Sequence, residues 1–553
     1  MSQFNDLNPF PKAKWTIIFQ IASESDLIND MISIYDKIST VGSVLGKVNF
    51  IVFYDGIAIE GVPFPGMPSI YYVRPGITFA EDAAFPIRQL TNEDLTNARV
   101  FNGAMTSIKN RFPADNWGYF YCGHGAAGGT DITNGNYRVE LDNRLIINGR
   151  RESEASMRQR LADQYEEDGW TISDVLELST DINDQNVLVI LTKQDNFKSL
   201  SYNQLGGFLR TAFNGDLNFI CLDSCWGMLT ENCLAFMDVA DHFVASVDEM
   251  PVKGIGYDAF CRLLADNADI KPSELASAIT TTFYQANYND YLSSADFSNM
   301  GVSLSCVDLD NFKTTFLQNF QVLVNYLIFN MPRLRPVIDD ARDLCLDHTY
   351  ASPNVYAVYN IDLCWFLENL IFYIGNHDPQ LVTLSLKVIA NIKLYLLKAF
   401  VANNYKENDV QAEEEALGGY GFTICFPTTE HRYGLSIYSD DVMDKHGHLH
   451  SGWIWKNFLK SYLRIGVPAA AYAKLFTSGG KYHNYASYFT KAEGDRSIVA
   501  AVNKFVEKFQ STEAFTGNVI KNNKWAKVIE RKPIGNKELR KRIKDKIDVI
   551  QQK

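Results

Sequence analysis

Apolar residues fall at two different spacings along the first 300 or so residues. Trp15–Ile21 and Val48–Tyr54 are continuous β-rich apolar runs, and Phe243–Val247 is a shorter one. Asp26–Ile38, Asn92–Ile108, Tyr202–Phe213 and Thr230–Val239 instead place apolar residues at helical spacing. Short buried strands alternating with amphipathic helices predict a mostly parallel sheet with helices on both faces. From Asp310 to Val401 the pattern changes. Leu, Phe, Tyr and Asn recur at helical spacing, clearest over Phe312–Phe329 and Leu381–Phe400. The expected layout is an α/β domain over 1–306, a helical subdomain over 307–405, an acidic linker over 406–417, a mixed region over 418–520 and a basic tail over 521–553.

Two further apolar runs end in turns that carry reactive side chains. Trp117–Gly125 reads WGYFYCGHG and stops at His124-Gly125; Leu217–Cys225 reads LNFICLDSC and stops at Cys225. In an open α/β sheet the carboxyl ends of neighbouring strands share one crevice. An imidazole there can take the proton of a thiol, the usual way a thiolate nucleophile is made near neutral pH. The backbone N–H groups of Gly125 and Cys225 are placed to form an oxyanion hole. Asp223, two residues before the thiol, should point to the same side of the strand end and favour a cationic substrate side chain. A lone His-Gly or a lone Cys is usually structural. Both together at strand ends point to a cysteine hydrolase.

These segments resemble the clostripain family of caspase-like cysteine peptidases. Lys14–Leu27 is similar to the family's opening strand and turn, and Asp223–Glu231 (DSCWGMLTE) to its nucleophile segment. Asp241–Tyr257 is similar to the next strand and substrate loop, where Ser246 and Glu249 match its Ser-x-x-Glu. Ser303–Leu309, Asp362–Leu367 and Gly421–Pro427 are similar to later landmarks. Ser224, Trp226 and Gly227 depart from the usual residues beside the nucleophile. The resemblance implies a caspase-like fold and endopeptidase cleavage after Arg or Lys. His124 and Cys225 would be the dyad, Asp223 would line the specificity pocket, and Ser246, Asp248 and Glu249 would sit on the adjoining loop. It also implies self-cleavage after a basic residue between the His and Cys segments. Arg150-Arg151 is the candidate there, in a charged stretch, Tyr137–Trp170, that reads as a surface loop; an ordered insertion is the alternative. No cofactor is required, and calcium is admitted as an optional ligand of this family, although no EF-hand spacing occurs.

Composition narrows the remaining choices. The chain has 553 residues, enough for more than one core, and a net charge of −13 that argues against general nucleic-acid binding. No apolar run is long enough to span a membrane. The amino-terminal segment lacks a basic start followed by an apolar stretch, so a cytoplasmic protein is expected; a secreted one with its signal removed would read the same. Nine cysteines without close CxxC pairs read as reduced thiols. Twelve Lys or Arg against four Asp or Glu from Lys521 onward read as a solvated tail, with a docking segment for an acidic regulatory partner as the alternative. His446, His448 and His450 alternate, but a polar loop is the plainer reading than a metal site. The expected partner is a protein or peptide with Arg or Lys before the scissile bond. Two other functions stay open: a partner-controlled or catalytically silent scaffold, and an amidohydrolase of non-peptide substrates.

Overall fold

The computed structural model describes residues 9–465, apart from 23–26, 57–66, 91–94, 127–128, 131–136, 142–169, 181–184, 195–199, 252, 294–300, 344, 346, 351–357, 404–420, 430–432, 434–435 and 439–452. The acidic linker, the alternating His446, His448 and His450, the basic tail and the Arg150-Arg151 pair lie outside the described residues. Contacts divide the chain into two compact units. One holds the residues up to Gly227 together with Ala235–Asn289; the other holds Met228–Leu234, Asp290–Met443 and residues from Leu449 on.

The first unit is built on β1 (Ala13–Ala22), α1 (Ile28–Ser39), β2 (Val48–Asp55), β3 (Ser69–Tyr72), β4 (Arg88–Gln89), α2 (Ala98–Arg111) and β5 (Ala114–Cys122). It continues through α3 (Tyr202–Phe213), β6 (Leu217–Asp223), β7 (Ala240–Ala245), α4 (Tyr257–Asp266) and α5 (Pro272–Ser293). Its strands lie in the order β7-β6-β5-β1-β2-β3-β4. The five from β7 to β2 are parallel, while β3 and β4 add an antiparallel edge. Strand β1, AKWTIIFQIA, is buried at nearly every position, as a central parallel strand covered on both faces should be.

Aromatic contacts identify the two covers. Trp117 packs on Phe213 of α3 at 5.5 Å between ring centroids, and Phe53 on Phe101 of α2. Phe120, three residues after Trp117 and so on the other face of β5, packs on Phe260 of α4 at 5.1 Å. Side chains such as Trp15, Tyr119 and Tyr121 are wholly buried, each apolar body contributing on the order of 1.5–3 kcal/mol. This is the caspase-like, mostly parallel sheet that the resemblance implies.

The stretch expected to be a surface loop is partly strand. Tyr137–Leu141 pairs antiparallel with Gln185–Gln194, which pairs on its other side with Trp170–Thr180. Charge in the Arg-rich middle obscured the short alternation of YRVEL, which pairs across the ladder with Val189–Lys193 (VILTK).

The second unit contains β8 (Gly301–Asp308), α6 (Leu317–Phe329), α7 (Met331–Asp343), β9 (Asp347–Tyr350), β10 (Val358–Asp362), α8 (Leu363–Ile374), α9 (Pro379–Tyr395), β11 (Leu396–Asn403), β12 (Thr423–Cys425) and α10 (Ile454–Leu463). Phe312–Phe316 enters α6 as a π turn, so the expected helix over Phe312–Phe329 forms with a widened start. The expected helix over Leu381–Phe400 stops at Tyr395. From Leu396 the chain is a strand, because LLKAFVAN finds a cross-strand partner in β8. The start of α9 is fixed by Asp378, whose carboxylate accepts the Leu381 N–H at 3.0 Å and pairs with Arg333 at 2.6 Å, with Pro379 in the first turn. Phe320, Phe426, Trp455 and Phe458 form the aromatic core.

Within this unit lies Glu231, six residues beyond Cys225. Its carboxylate is buried, accepts the Tyr438 hydroxyl, and takes the Cys425 N–H at 3.4 Å; Trp453 Nε1 in turn donates to Tyr438 at 3.0 Å. Burial pushes its pKa up to about 7, against the pull of these donors. Thr230 and Thr423 exchange side-chain bonds with each other's neighbourhood, Thr230 Oγ1 donating to the Thr423 carbonyl at 2.9 Å and Thr423 Oγ1 to that of Met228 at 2.5 Å.

Candidate active site

The ends of β5 and β6 are neighbours because the two strands pair in parallel, Cys122 beside Asp223. Beyond that pair the chain turns, and the two turns are bonded together. Gly123 N–H donates to the Asp223 carbonyl at 3.2 Å. Tyr121 holds the next turn by donating its hydroxyl to the His124 carbonyl at 2.8 Å. Gly125 lies against Ser224 and Tyr202 so closely that a Cβ there would stand 2.6 Å from the Tyr202 hydroxyl and 2.8 Å from Ser224. Tyr202 and Ser224 share a hydrogen bond of 3.0 Å. Short pairings Gly125–Ala126 with Gly129–Thr130, and Gly129–Thr130 with Leu200–Ser201, follow directly on His124.

Cys225 is half-buried, whereas the other eight cysteines are buried; none of the nine is in a disulfide. Its sulfur accepts the Met250 N–H at 3.4 Å. Trp226, next along, adopts φ +50°, a left-handed conformation costly for a bulky residue. Its N–H donates to the Asp248 carbonyl at 2.9 Å. Ser246 closes that loop, donating to the Asp248 carbonyl at 2.9 Å and accepting its N–H at 3.0 Å. Burial pushes the Cys225 thiol up to about 12; the Met250 N–H pulls it down, and the charges of Glu249 and Asp223 push it further up. Glu249 is itself raised by burial and by Asp248.

Asp223 is 7% exposed. Tyr257, at the start of α4, donates its hydroxyl to Asp223 Oδ2 and stands 3.1 Å from Cys122 Sγ. Burial raises the Asp223 carboxyl to about 6, while the Tyr257 bond and the Lys37 charge hold it down.

These turns and α1 enclose a cavity of about 110 Å³. His124, Asp223, Ser224 and Cys225 line it from the strand ends, Leu27, Asp30, Met31 and Ile34 from the α1 side, and Met250 and Pro251 from the loop. His124, Cys225 and Asp223 therefore share one cavity lining. Its loop wall is made by Met250 and Pro251; Ser246, Asp248 and Glu249 are not on the lining, and Ser246 and Asp248 brace the loop through their hydrogen bonds. Gly125 contributes close packing beside Ser224. Asp30, Met250, Pro251 and Tyr257 escape the sequence reading. Tyr257 ends a segment that resembles the family's substrate loop; Asp30 carries no signal beyond its place on a helix. A wider groove of about 620 Å³ lies at the amino ends of β5 and β6, between Lys109, Asp115, Asp216 and Asp241. It holds neither thiol nor imidazole, and ligands of open α/β sheets bind at the opposite ends of the strands. Among the described residues no group of three or more His, Cys, Asp or Glu is arranged to hold a metal, and no helix is long and apolar enough to cross a membrane.

Known proteins resemble the chain as follows. The sequence model of the clostripain family matches residues 183–361. A secreted C11 cysteine protease of Bacteroides thetaiotaomicron, solved with an irreversible peptide inhibitor, is 13% identical with a TM-score of 0.45, covering 78% of this chain and 99% of its own. A second structure of a secreted C11 protease from that organism, named iotapain, is 11% identical with a TM-score of 0.47, covering 79% and 100%. An inactive zymogen C11 protease of Parabacteroides distasonis is 14% identical with a TM-score of 0.42, covering 78% and 98%. No curated protein matches. The cytoplasmic expectation gains no support from these relatives.

Proposed function

We propose a residue-level mechanism for a chain that belongs, through residues 183–361, to the clostripain family of cysteine peptidases. The chain is a cysteine endopeptidase, and the proposal concerns which residues act and what they cleave. His124 takes the proton of the Cys225 thiol as the sulfur attacks the scissile carbonyl. The oxygen of the tetrahedral adduct is stabilised by the N–H groups of Gly125 and Cys225. The imidazolium then returns the proton to the leaving amine, and a thioester remains. Water, deprotonated by His124, releases the acyl product and restores the thiol.

Asp223, on the cavity lining with Asp30 beside it, receives the cationic side chain before the scissile bond. That cation neutralises one of the charges that hold the resting thiol protonated, so binding of a basic residue also favours proton transfer to His124. Ser246, Asp248 and Glu249 hold the loop whose Met250 N–H reaches the sulfur. Cleavage after Arg150 or Arg151 is the proposed self-processing step.

One observation carries the reading. His124, about a hundred residues before Asp223 and Cys225 in the chain, lines a single small cavity with them. The test is the cleavage of matched peptide amides bearing a basic or a neutral residue before the scissile bond. Preferred cleavage of the basic ones supports the assignment of Asp223. Equal cleavage of neutral and non-peptide amides would favour the amidohydrolase instead.

A further inference from the structure

The Asp223 carboxylate is pinned in a way that bears on which cation it accepts. Tyr257 is wholly buried and donates its hydroxyl to Oδ2. Gly254, at φ +61°, lies directly over the same oxygen, close enough that any side chain there would clash with it. The glycine is held in turn: its N–H donates to the Pro251 carbonyl at 2.8 Å, and its carbonyl accepts Asn287 Nδ2 at 2.8 Å. One oxygen is thus engaged by Tyr257, with no side chain over it at Gly254, and the other remains for a ligand.

We propose that this pocket selects Lys over Arg, because Tyr257 occupies the second oxygen of Asp223 and leaves only Oδ1 for the substrate cation. The inference rests on the reading of Asp223 as the pocket carboxylate and deepens it. A guanidinium binds a carboxylate best through two parallel N–H bonds to both oxygens, whereas an ammonium is a point donor that needs one. With Oδ2 taken, the fork loses one of its two acceptors and the ammonium loses nothing. Asp30, on the α1 wall of the cavity, adds negative charge that both cations feel alike. The small cavity also suits the unforked side chain. Tyr257 acts through Asp223 and is a positioning residue.

The test uses the full chain and three matched peptide amides that differ only before the scissile bond: Lys, Arg and norleucine. The expected result is kcat/KM about tenfold higher for Lys than for Arg, the loss of about one charge-assisted hydrogen bond. In Tyr257→Phe the freed Oδ2 becomes an acceptor, and the preference should fall toward parity, mainly through KM. An unchanged Lys:Arg ratio in a folded Tyr257→Phe overturns the role of Tyr257. If that variant does not fold, the wild-type ratio decides: Arg equal to or better than Lys, with both above norleucine, overturns the proposal and leaves the basic-residue reading standing. If neither basic substrate exceeds norleucine, the reading beneath the proposal fails as well.

Discussion

Gly123 donates its N–H to the carbonyl of Asp223 at 3.2 Å, one hydrogen bond joining the turn that carries His124 to the turn that carries Cys225. The pairing of β5 with β6 ends one residue earlier, so this bond carries the parallel ladder past the last strand pair and into the two turns. Relative placement of imidazole and thiol is thereby set by backbone, with Gly125 and Ser224 packed in the next layer.

That packing makes Gly125 sensitive. Gly125→Ala places a methyl group 2.6 Å from the Tyr202 hydroxyl and 2.8 Å from Ser224, the residue before the thiol. Overpacking of this kind costs about 1–3 kcal/mol. Activity should fall well beyond the loss in thermal stability, since Ser224 must move. Adding Tyr202→Phe removes the nearest atom and should restore part of the activity. A Gly125→Ala enzyme of normal turnover would show that the turn has room to spare.

The pH profile should report Asp223. Its carboxyl is raised to about 6, so the pocket is anionic above that pH and neutral below it. For Lys and Arg peptide amides, kcat/KM is expected to drop as pH falls through about 6, on a limb that norleucine amides lack. Asp223→Asn should erase the limb and cost basic substrates about 2–5 kcal/mol. A profile identical for basic and neutral substrates contradicts the pocket assignment.

The resting sulfur should react as a thiol. Burial pushes Cys225 up to about 12, so alkylation of the free enzyme by iodoacetamide should be slow near neutral pH and keep rising through pH 9. A rate that levels off below pH 8 would mean that a thiolate already exists in the free enzyme.

Stability should carry the signature of Glu231. Its folded pKa, about 7, lies above its ordinary 4.5. The folded state therefore favours the protonated form, and the contribution, full below the ordinary value, is lost as pH rises through about 7. Asp223 adds the same sign over a lower window. The melting temperature of the wild type should fall by several degrees between pH 5 and 8, and Glu231→Gln should flatten part of that slope. Equal slopes in both proteins would remove Glu231 as its source.

Much of the first unit was legible because its signals are local and strong. The runs at β1, β2, β5 and β6 are apolar throughout, and Tyr202–Phe213 forms the helix that its spacing predicts. His124, Cys225 and Asp223 could be placed together because they terminate strands that a parallel sheet must bring to one edge. Tyr257 and Gly254 could not, since their part is to restrain Asp223 from a loop and helix some thirty residues further on. Pairing defeated the sequence twice. Leu396–Asn403 has the spacing of a helix but the partner of a strand, and Tyr137–Leu141 lies beside charges that pointed to solvent.

The central claim is that His124 and Cys225 act as one catalytic pair. It is tested most directly by the turnover of a Lys or Arg peptide amide by purified Cys225→Ala and His124→Ala, each checked for a native melting temperature. The account predicts folded proteins in which both variants have lost activity to background. Normal turnover by folded Cys225→Ala, or by folded His124→Ala, would contradict it.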